Sequence, residues 1–124
     1  MRRCVMSVSA LKGILMDFTR IEGVSGVAII GKDGFVVEQV MPAGGIDLDA
    51  LAAMVTTLYG SATRLGEELA SGGTDLIIIE YRNNYVLVCD LGEALFAVLA
   101  DKRALLGRVR FEMRRQRDRI RAAL

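Results

Sequence analysis

Apolar residues recur along the chain with the period of a helix in some segments and in β-branched runs in others. The first helical stripe consists of Leu11, Ile14, Leu15 and Phe18. Gly23 is expected to end this helix. Two β-branched runs follow at residues 27–30 and 35–40. The segment Gly31-Lys32-Asp33-Gly34 joins them, and an Asp-Gly pair between such runs predicts a β-hairpin.

The second predicted helix carries the most regular apolar seam of the chain. Asp47 is positioned to cap its first turn, with Ile46 packing against Leu51. Gly72-Gly73 is expected to end it. The seam alternates spacings of three and four residues and consists of Leu48, Leu51, Val55, Leu58, Ala62, Leu65 and Leu69. Such a seam indicates packing either on a sheet or against the same helix of a second copy.

Two features favour the second copy. Gly60 and Gly66 interrupt the second helix, where each costs up to about 1 kcal/mol relative to Ala unless another backbone approaches closely. The next predicted strand carries the isoleucines 77–79 and is expected at a sheet edge, where an apolar strand invites pairing. A two-fold dimer that pairs these strands and packs the second helices side by side would bury both features.

The carboxyl-terminal half predicts a three-stranded meander and a last helix. The strands are expected at residues 75–82, 85–91 and 94–100, with tight turns at Asn83-Asn84 and Gly92-Glu93. Continuous apolar runs in the first two strands indicate a sheet that is covered on both faces. From about Arg103 the pattern is again helical, with a stripe of Leu106, Val109, Met113 and Ile120.

The predicted order is αββαβββα, an α/β (α+β) fold with helices on both faces of one five-stranded, mainly antiparallel sheet. The length of 124 residues and the hydrophobic content of 52% fit one domain. We expect a short N-terminal extension at residues 1–8 and a single domain at residues 9–124. No segment has the length and apolar character of a signal peptide or a membrane span. The two cysteines offer no disulfide framework, and a reducing cytoplasm is therefore the expected location.

The composition argues against catalysis. The chain has no histidine, and it therefore lacks the usual general base and the commonest metal ligand. Its two cysteines, Cys4 and Cys89, form neither a disulfide framework nor a metal motif, and we do not expect either to act as a nucleophile. We therefore predict no enzyme activity, no catalytic residue, no cofactor and no metal.

One segment partly matches a phosphate-binding loop. Residues 26–33 supply its glycines and lysine, but Asp33 stands where a magnesium-binding Ser or Thr belongs. A phosphate loop follows a strand and opens a helix. Here the interval is itself a predicted strand that turns into another strand, and we interpret it as part of the hairpin.

The charge is concentrated at the carboxyl terminus. Residues 101–124 hold nine basic and three acidic side chains, so this segment carries +6 within a chain of net charge +1. An arginine-rich helix suggests an alternative function, a small module that binds nucleic acid or another anionic surface. A solvated or protein-binding helix face is the simpler interpretation, since no aromatic residue except Phe111 lies among the arginines.

The sequence resembles the roadblock family, which includes dynein light chains and prokaryotic single-domain regulators of small Ras-like GTPases. The resemblance spans residues 9–122. The resemblance depends on four segments. They are the first helix leading into residues 21–27, the turn 32–34, the segment Leu51-Ala52-Ala53-Met54 of the second helix, and residues 105–110. A ligand-sensing domain of profilin-like or PAS-like fold is the rival, but the composition shows no aromatic-lined pocket.

The resemblance implies a profilin-like architecture and a homodimer whose two sheets join into one, with the second helices side by side. It also implies a small Ras-like GTPase as partner, without a nucleotide pocket in this chain. An arginine finger from Arg64 or Arg82 is chemically conceivable but not expected. The expected dimer interface consists of Leu51, Val55, Leu58, Tyr59, Ala62, Leu65, Leu69, Ile77 and Ile79. The expected partner-binding residues are Thr57, Ser61, Arg64 and Glu68.

Overall fold

A computed structural model describes residues 2–124, with side chains from Ala10 onward. The elements follow the predicted αββαβββα order, and they are α1 (Arg2–Phe18), β1 (Val24–Gly31), β2 (Val36–Val40), α2 (Leu48–Glu68), β3 (Leu76–Glu80), β4 (Asn84–Asp90), β5 (Ala94–Asp101) and α3 (Leu106–Ala123). Among the described residues, no helix combines the length and the apolar character needed to cross a membrane.

The five strands form one antiparallel sheet in the order β2-β1-β5-β4-β3. The hairpin β1–β2 and the meander β3–β4–β5 meet where β1 pairs with β5, for example Val27 with Val98. The outermost strands are β2 and β3. The prediction that the isoleucine-rich strand lies at a sheet edge is therefore confirmed.

The sheet is covered on both faces, as predicted. Helices α1 and α3 pack on one face, where Phe18 and Phe96 meet edge to face with ring centroids 5.1 Å apart. The stripe predicted for the last helix lies in the same cluster, with Val109, Met113 and Ile120 fully or almost fully buried. Helix α2 packs on the opposite face through Ala52 and Val55. Two helices thus cover one face of the sheet, and α2 alone covers the other.

The end of α1 differs from the prediction. The helix ends at Phe18, five residues before Gly23, and residues 19–22 form turns that lead into β1. Gly23 has a φ of +88°, and a Cβ atom there would clash with the backbone of Ala104. Glycine is therefore required at position 23, because the backbone is left-handed there and because a second chain segment approaches closely. Helix α1 begins at Arg2, inside the expected extension 1–8, and Met1 lies outside the described residues.

The N-cap of α2 is confirmed, whereas its predicted end is wrong. The Asp47 carboxylate accepts a hydrogen bond of 3.1 Å from the Ala50 amide. The helix ends at Glu68, before Gly72-Gly73. Ala70 then adopts a left-handed φ of +52°, and the amides of Ala70 and Ser71 bond back to the carbonyls of Glu67 and Gly66. This is a Schellman motif with alanine in the place usually taken by glycine.

Helix α3 begins at Leu106, three residues after the predicted start. The Asp101 carboxylate accepts a hydrogen bond from the Arg103 amide at 2.9 Å and pairs with the Arg103 guanidinium at 2.8 Å. These contacts hold residues 102–104 in a turn between β5 and α3. The apolar stripe itself begins at Leu106, the first residue of the helix.

Candidate interaction surface

The seam of α2 divides between the core and the surface. Val55 is 4% exposed and lies in the core of the protomer, and Leu51 is half-buried against the same cluster. Tyr59 also faces the sheet. A heptad seam drifts around a straight helix, because 3.6 residues make a turn while the seam repeats every 3.5. The structure thus places these three predicted interface residues against the protomer's own sheet.

The rest of the seam forms an apolar flank on α2. Leu65 and Leu69 are 61% and 66% exposed, and Leu58 and Ala62 are half-buried. Met54, which the sequence reasoning missed, is 62% exposed and lies one turn before Leu58. Exposed apolar side chains aligned along one flank are unusual on a monomer and are typical of a contact surface. The apolar flank is defined here as Met54, Leu58, Ala62, Leu65 and Leu69.

The predicted partner-binding residues share the outer side of α2. Thr57, Ser61, Arg64 and Glu68 are all exposed, at spacings of four, three and four residues that keep them in one row. This polar row lies beside the apolar flank and points away from the sheet. A second molecule that contacts the flank would leave the polar row open.

The remaining flank of α2 faces the β1–β2 hairpin. The Thr56 hydroxyl lies next to Gly34 in that hairpin. The Gly60 Cβ position is open, whereas a Cβ at Gly66 would lie 3.2 Å from the Gly72 carbonyl oxygen. Close backbone approach within the protomer thus accounts for Gly66 only. Gly60 lies on the hairpin side and not on the apolar flank.

Beside the apolar flank, part of the sheet is only half covered. Ile79 pairs with Val86, and Val86 with Leu99, so these three side chains form a row on the α2 face of the sheet. All three are half-buried. Ile77, on the same face, packs against the α2 cluster and is also half-buried. The sheet thus continues the apolar flank toward its β3 edge.

The two edge strands differ in how they are protected. At the β2 edge, the Lys12 ammonium bonds to the Gln39 carbonyl at 2.8 Å and pairs with Glu38 at 3.2 Å. The β1–β2 register also shifts between Ile29 and Ile30. A lysine and an irregular register both discourage strand addition. The β3 edge, in contrast, runs Leu-Ile-Ile-Ile before Glu80, and Ile78 is 38% exposed on its α1/α3 face.

Tyr59 belongs to a polar cluster that anchors α2 to two turns. Its hydroxyl donates to Asp90 at 2.5 Å, and Lys32 of the hairpin pairs with the same carboxylate at 3.0 Å. The Gly92 amide donates to Asp90 at 2.7 Å. Sequence periodicity missed this cluster, because its members lie on three separate elements.

The cluster shifts two pKa values. Burial by itself raises the pKa of Asp90, but the hydrogen bonds from Tyr59, the Gly92 amide and Lys32 outweigh it, and the pKa lies below its ordinary value. The pKa of Tyr59 is raised, first by burial and then by the hydrogen bond to Asp90. Both shifts favour the arrangement of a neutral phenol, a carboxylate and an ammonium ion.

The described residues offer little for catalysis. Cys89 is buried, and burial raises the pKa of its thiol to about 11, which disfavours the nucleophilic thiolate. The Cys4 side chain lies outside the described residues. The segment 26–31 is part of strand β1 and turns directly into the hairpin, as interpreted from the sequence. Among the side chains described, no three acidic or cysteine residues cluster to hold a metal.

Comparison with known proteins identifies relatives over nearly the whole chain. The family model described as the Roadblock/LC7 domain matches residues 12–100. Uncharacterized protein MJ0714 of Methanocaldococcus jannaschii is 33% identical over 117 residues, which cover 94% of this chain and 98% of that protein. A second protein of the same organism, MJ0310, is 33% identical over 88% of this chain and 95% of its own length.

Solved structures share the fold. The gliding protein MglB from Thermus thermophilus superposes with a TM-score of 0.84 at 21% identity, covering 94% of this chain and 90% of that one. A structure described as MglB with tetrameric arrangement gives a TM-score of 0.87 at 21% identity, covering 94% and 89%. Profilin IB of Acanthamoeba castellanii superposes with a TM-score of 0.60 at 15% identity, and the match covers 84% of this chain and 92% of that one. The profilin-like architecture is thereby confirmed.

Proposed function

Because the chain belongs to the Roadblock/LC7 domain family, we propose that it is a non-catalytic homodimeric module that binds a small Ras-like GTPase and regulates or scaffolds it. The domain would comprise residues 9–124. The observation that carries the proposal is the arrangement on α2, where an apolar flank adjoins an exposed polar row. Such an arrangement supports one surface for a second copy and another for a different partner.

The dimer contact would use the apolar flank and the β3 edge together. The flank adjoins the half-covered row of Ile79, Val86 and Leu99. Among the described side chains, no lysine bonds to the β3 backbone as Lys12 does to β2, although Lys102 pairs with Glu80 at the end of the strand. Pairing of two β3 edges around a two-fold axis would satisfy unpaired backbone groups and bury both apolar surfaces. Of the predicted interface, Leu58, Ala62, Leu65, Leu69, Ile77 and Ile79 would make this contact.

The GTPase contact would use the polar row. In the proposed dimer two α2 helices lie side by side, and their rows of Thr57, Ser61, Arg64 and Glu68 form one continuous surface. Because the apolar flanks would be buried between the two copies, the polar rows would remain exposed to a different partner. The identity of the partner class rests on the resemblance of the sequence to regulators of small Ras-like GTPases.

Mass in solution tests the dimer. The chain of 13.5 kDa is expected to behave as a species of twice that mass at micromolar concentration in light-scattering chromatography. The double variant Leu58→Glu/Leu65→Glu should be monomeric, because two carboxylates would be desolvated in the contact. The matched control is Leu105→Glu/Phe111→Glu, which changes two exposed apolar residues near the start of α3 and should leave the dimer intact. A monomeric native protein would refute the dimer.

Binding of a GTPase tests the function. A purified Ras-like GTPase from the same organism, loaded with GDP or with a non-hydrolysable GTP analogue, is titrated with this protein in a calorimeter. We expect binding that favours one nucleotide state. Arg64→Glu should weaken it at least about tenfold, as expected for an interface arginine. Arg119→Glu, on the opposite side of the protein, should not. Absence of binding in both states would reject the proposal.

A further inference from the structure

Helix α3 carries its arginines on two opposite flanks. Its apolar side faces the sheet, and the polar side chains divide around it. The flank toward β3 and β4 carries Arg110, Arg114, Arg117 and Arg121, with no acidic residue in the row. The flank toward α1 carries Arg108, Glu112, Arg115 and Arg119. The first of these rows is called the arginine row below.

The arginine row borders a groove between α3 and the sheet. The groove has a volume of about 180 Å³ and is lined by Asp75, Leu76, Cys89, Arg110, Met113, Arg114 and Arg117. Its floor is apolar, since Leu76, Cys89 and Met113 belong to the core cluster of this face. The groove therefore combines a cationic wall with an apolar floor.

The charge of this wall is poorly compensated. On the other flank, Arg115 pairs with Glu112 at 3.4 Å and Arg119 bonds to the Gln116 side chain at 3.0 Å. Among the described side chains, Arg110, Arg114 and Arg117 form no ion pair, although Asp75 also lines the groove. Arg121 donates to the Leu91 carbonyl at 2.8 Å, which fixes the end of the row. Three guanidinium groups thus remain available to an anionic ligand.

We propose that this groove binds an acidic segment of a partner protein, specifically an amphipathic helix with carboxylates beside apolar side chains. Arginines three and four residues apart lie about 5–6 Å from one another along α3, which matches carboxylates at the same spacing on a second helix. Guanidinium groups bind carboxylates in a bidentate manner. The apolar floor favours a protein ligand over a phosphate backbone, and its recessed position favours a helix over a flat membrane surface.

The proposed groove shares no residue with the proposed contacts on α2, although its lining residue Leu76 begins β3, the strand proposed to pair in the dimer. The groove lies on the face of the sheet that α1 and α3 cover, whereas α2 lies on the other face. Changes to the arginine row can therefore remove binding at the groove while the α2 contacts persist.

A labelled model peptide tests the groove. The probe is a fluorescein-labelled helical peptide with Glu on one face and Leu on the adjacent face, and its fluorescence anisotropy is measured against the full-length protein at low and physiological salt. The groove variant is Arg110→Glu/Arg114→Glu/Arg117→Glu. The matched control, Arg108→Glu/Arg115→Glu/Arg119→Glu, makes the same change of charge on the other flank. Circular dichroism and chromatographic mass confirm that each variant is folded.

We expect the groove variant to bind the peptide at least about tenfold more weakly than the native protein, which corresponds to about 1.4 kcal/mol. The control variant measures the general effect of the same charge change, and it should alter the affinity by less than about twofold. Equal weakening by both triple variants, or no binding of the peptide to the native protein, would overturn the proposal. Tighter binding of a duplex oligonucleotide or of phosphatidylserine vesicles, with the same dependence on the groove, would also overturn it, because the ligand class would then be different.

Discussion

Ala70 occupies a backbone conformation that most residues avoid. Its φ of +52° closes α2, and a side chain in the left-handed region costs about 1 kcal/mol. Ala70→Gly should therefore raise the free energy of unfolding by about 0.5–1 kcal/mol in urea denaturation. As a control, Ala53→Gly at an exposed position in the second turn of α2 should lower it by about 1 kcal/mol. A destabilising Ala70→Gly would show that another contact of the alanine methyl group outweighs the strain.

Asp90 makes stability depend on pH at the acidic end. Its folded-state pKa is lower than in the unfolded chain, so its contribution is complete above the unfolded value of about 3.9 and is lost as pH falls below it through the folded-state pKa. Asp90→Asn should flatten the acid limb of the stability profile below about pH 4. Asp118→Asn, at an exposed position of α3, is the control. The same acid limb in native and Asp90→Asn proteins would contradict the assignment.

Tyr59 should make stability depend on pH at the alkaline end, where its contribution falls as pH rises. Its folded-state pKa is raised, so its contribution is present below the unfolded value of about 10 and is lost as pH rises through the folded-state pKa. Tyr59→Phe removes this dependence together with one hydrogen bond to Asp90. Urea denaturation at about pH 9 and pH 11 should show a smaller loss of stability for the variant than for the native protein. Equal losses would exclude Tyr59 as the titrating group.

At the scale of elements, α2 contains a glycine that the protomer does not require. A Cβ atom at Gly60 meets no atom within 4 Å, so Gly60→Ala should raise the free energy of unfolding by about 1 kcal/mol. Gly66→Ala should raise the free energy of unfolding by less, because the new Cβ would lie 3.2 Å from the Gly72 carbonyl oxygen. If Gly60→Ala instead lowers stability or dissociates a dimer, a second copy must approach that side of α2.

Apolar periodicity located every helix and strand, because burial against one sheet imposes the period on the sequence. It misplaced the ends. Gly23 and Gly72-Gly73 were assigned to helix termination from residue type, but α1 ends at Phe18 and α2 closes at Ala70. Glycine in a sequence indicates conformational freedom and does not say which turn uses it. The close approach of Gly23 to Ala104 depends on a contact between distant segments.

The same limitation applies to the candidate surface. Heptad spacing found Leu58, Leu65 and Leu69, which are available on the surface of α2. It also included Val55 and Tyr59, because spacing alone does not say which part of the helix faces the sheet. Met54 lies outside the heptad positions and was therefore missed, although it is exposed beside the others. Only the packing of α2 on the sheet separates core from surface.

At the scale of the whole molecule, the proposed dimer makes folding depend on protein concentration. If the apolar flank and the β3 edge are buried between two copies, unfolding is coupled to dissociation, and each tenfold rise in concentration stabilises the dimer by about 1.4 kcal/mol. For two chains of 124 residues this corresponds to a rise in Tm of about 3–5 °C. Differential scanning fluorimetry across a hundredfold range of concentration measures it.

The concentration dependence also separates the two proposed surfaces. Leu58→Glu/Leu65→Glu should abolish it, since the flank would no longer be buried, and should retain binding of the acidic peptide, since neither residue lines the groove. Arg110→Glu/Arg114→Glu/Arg117→Glu should weaken peptide binding at least about tenfold and retain the concentration dependence, because the groove and α2 lie on opposite faces of the sheet. If either variant removed both properties, the two faces would be coupled, and the dimer and the groove would have to be treated as one site.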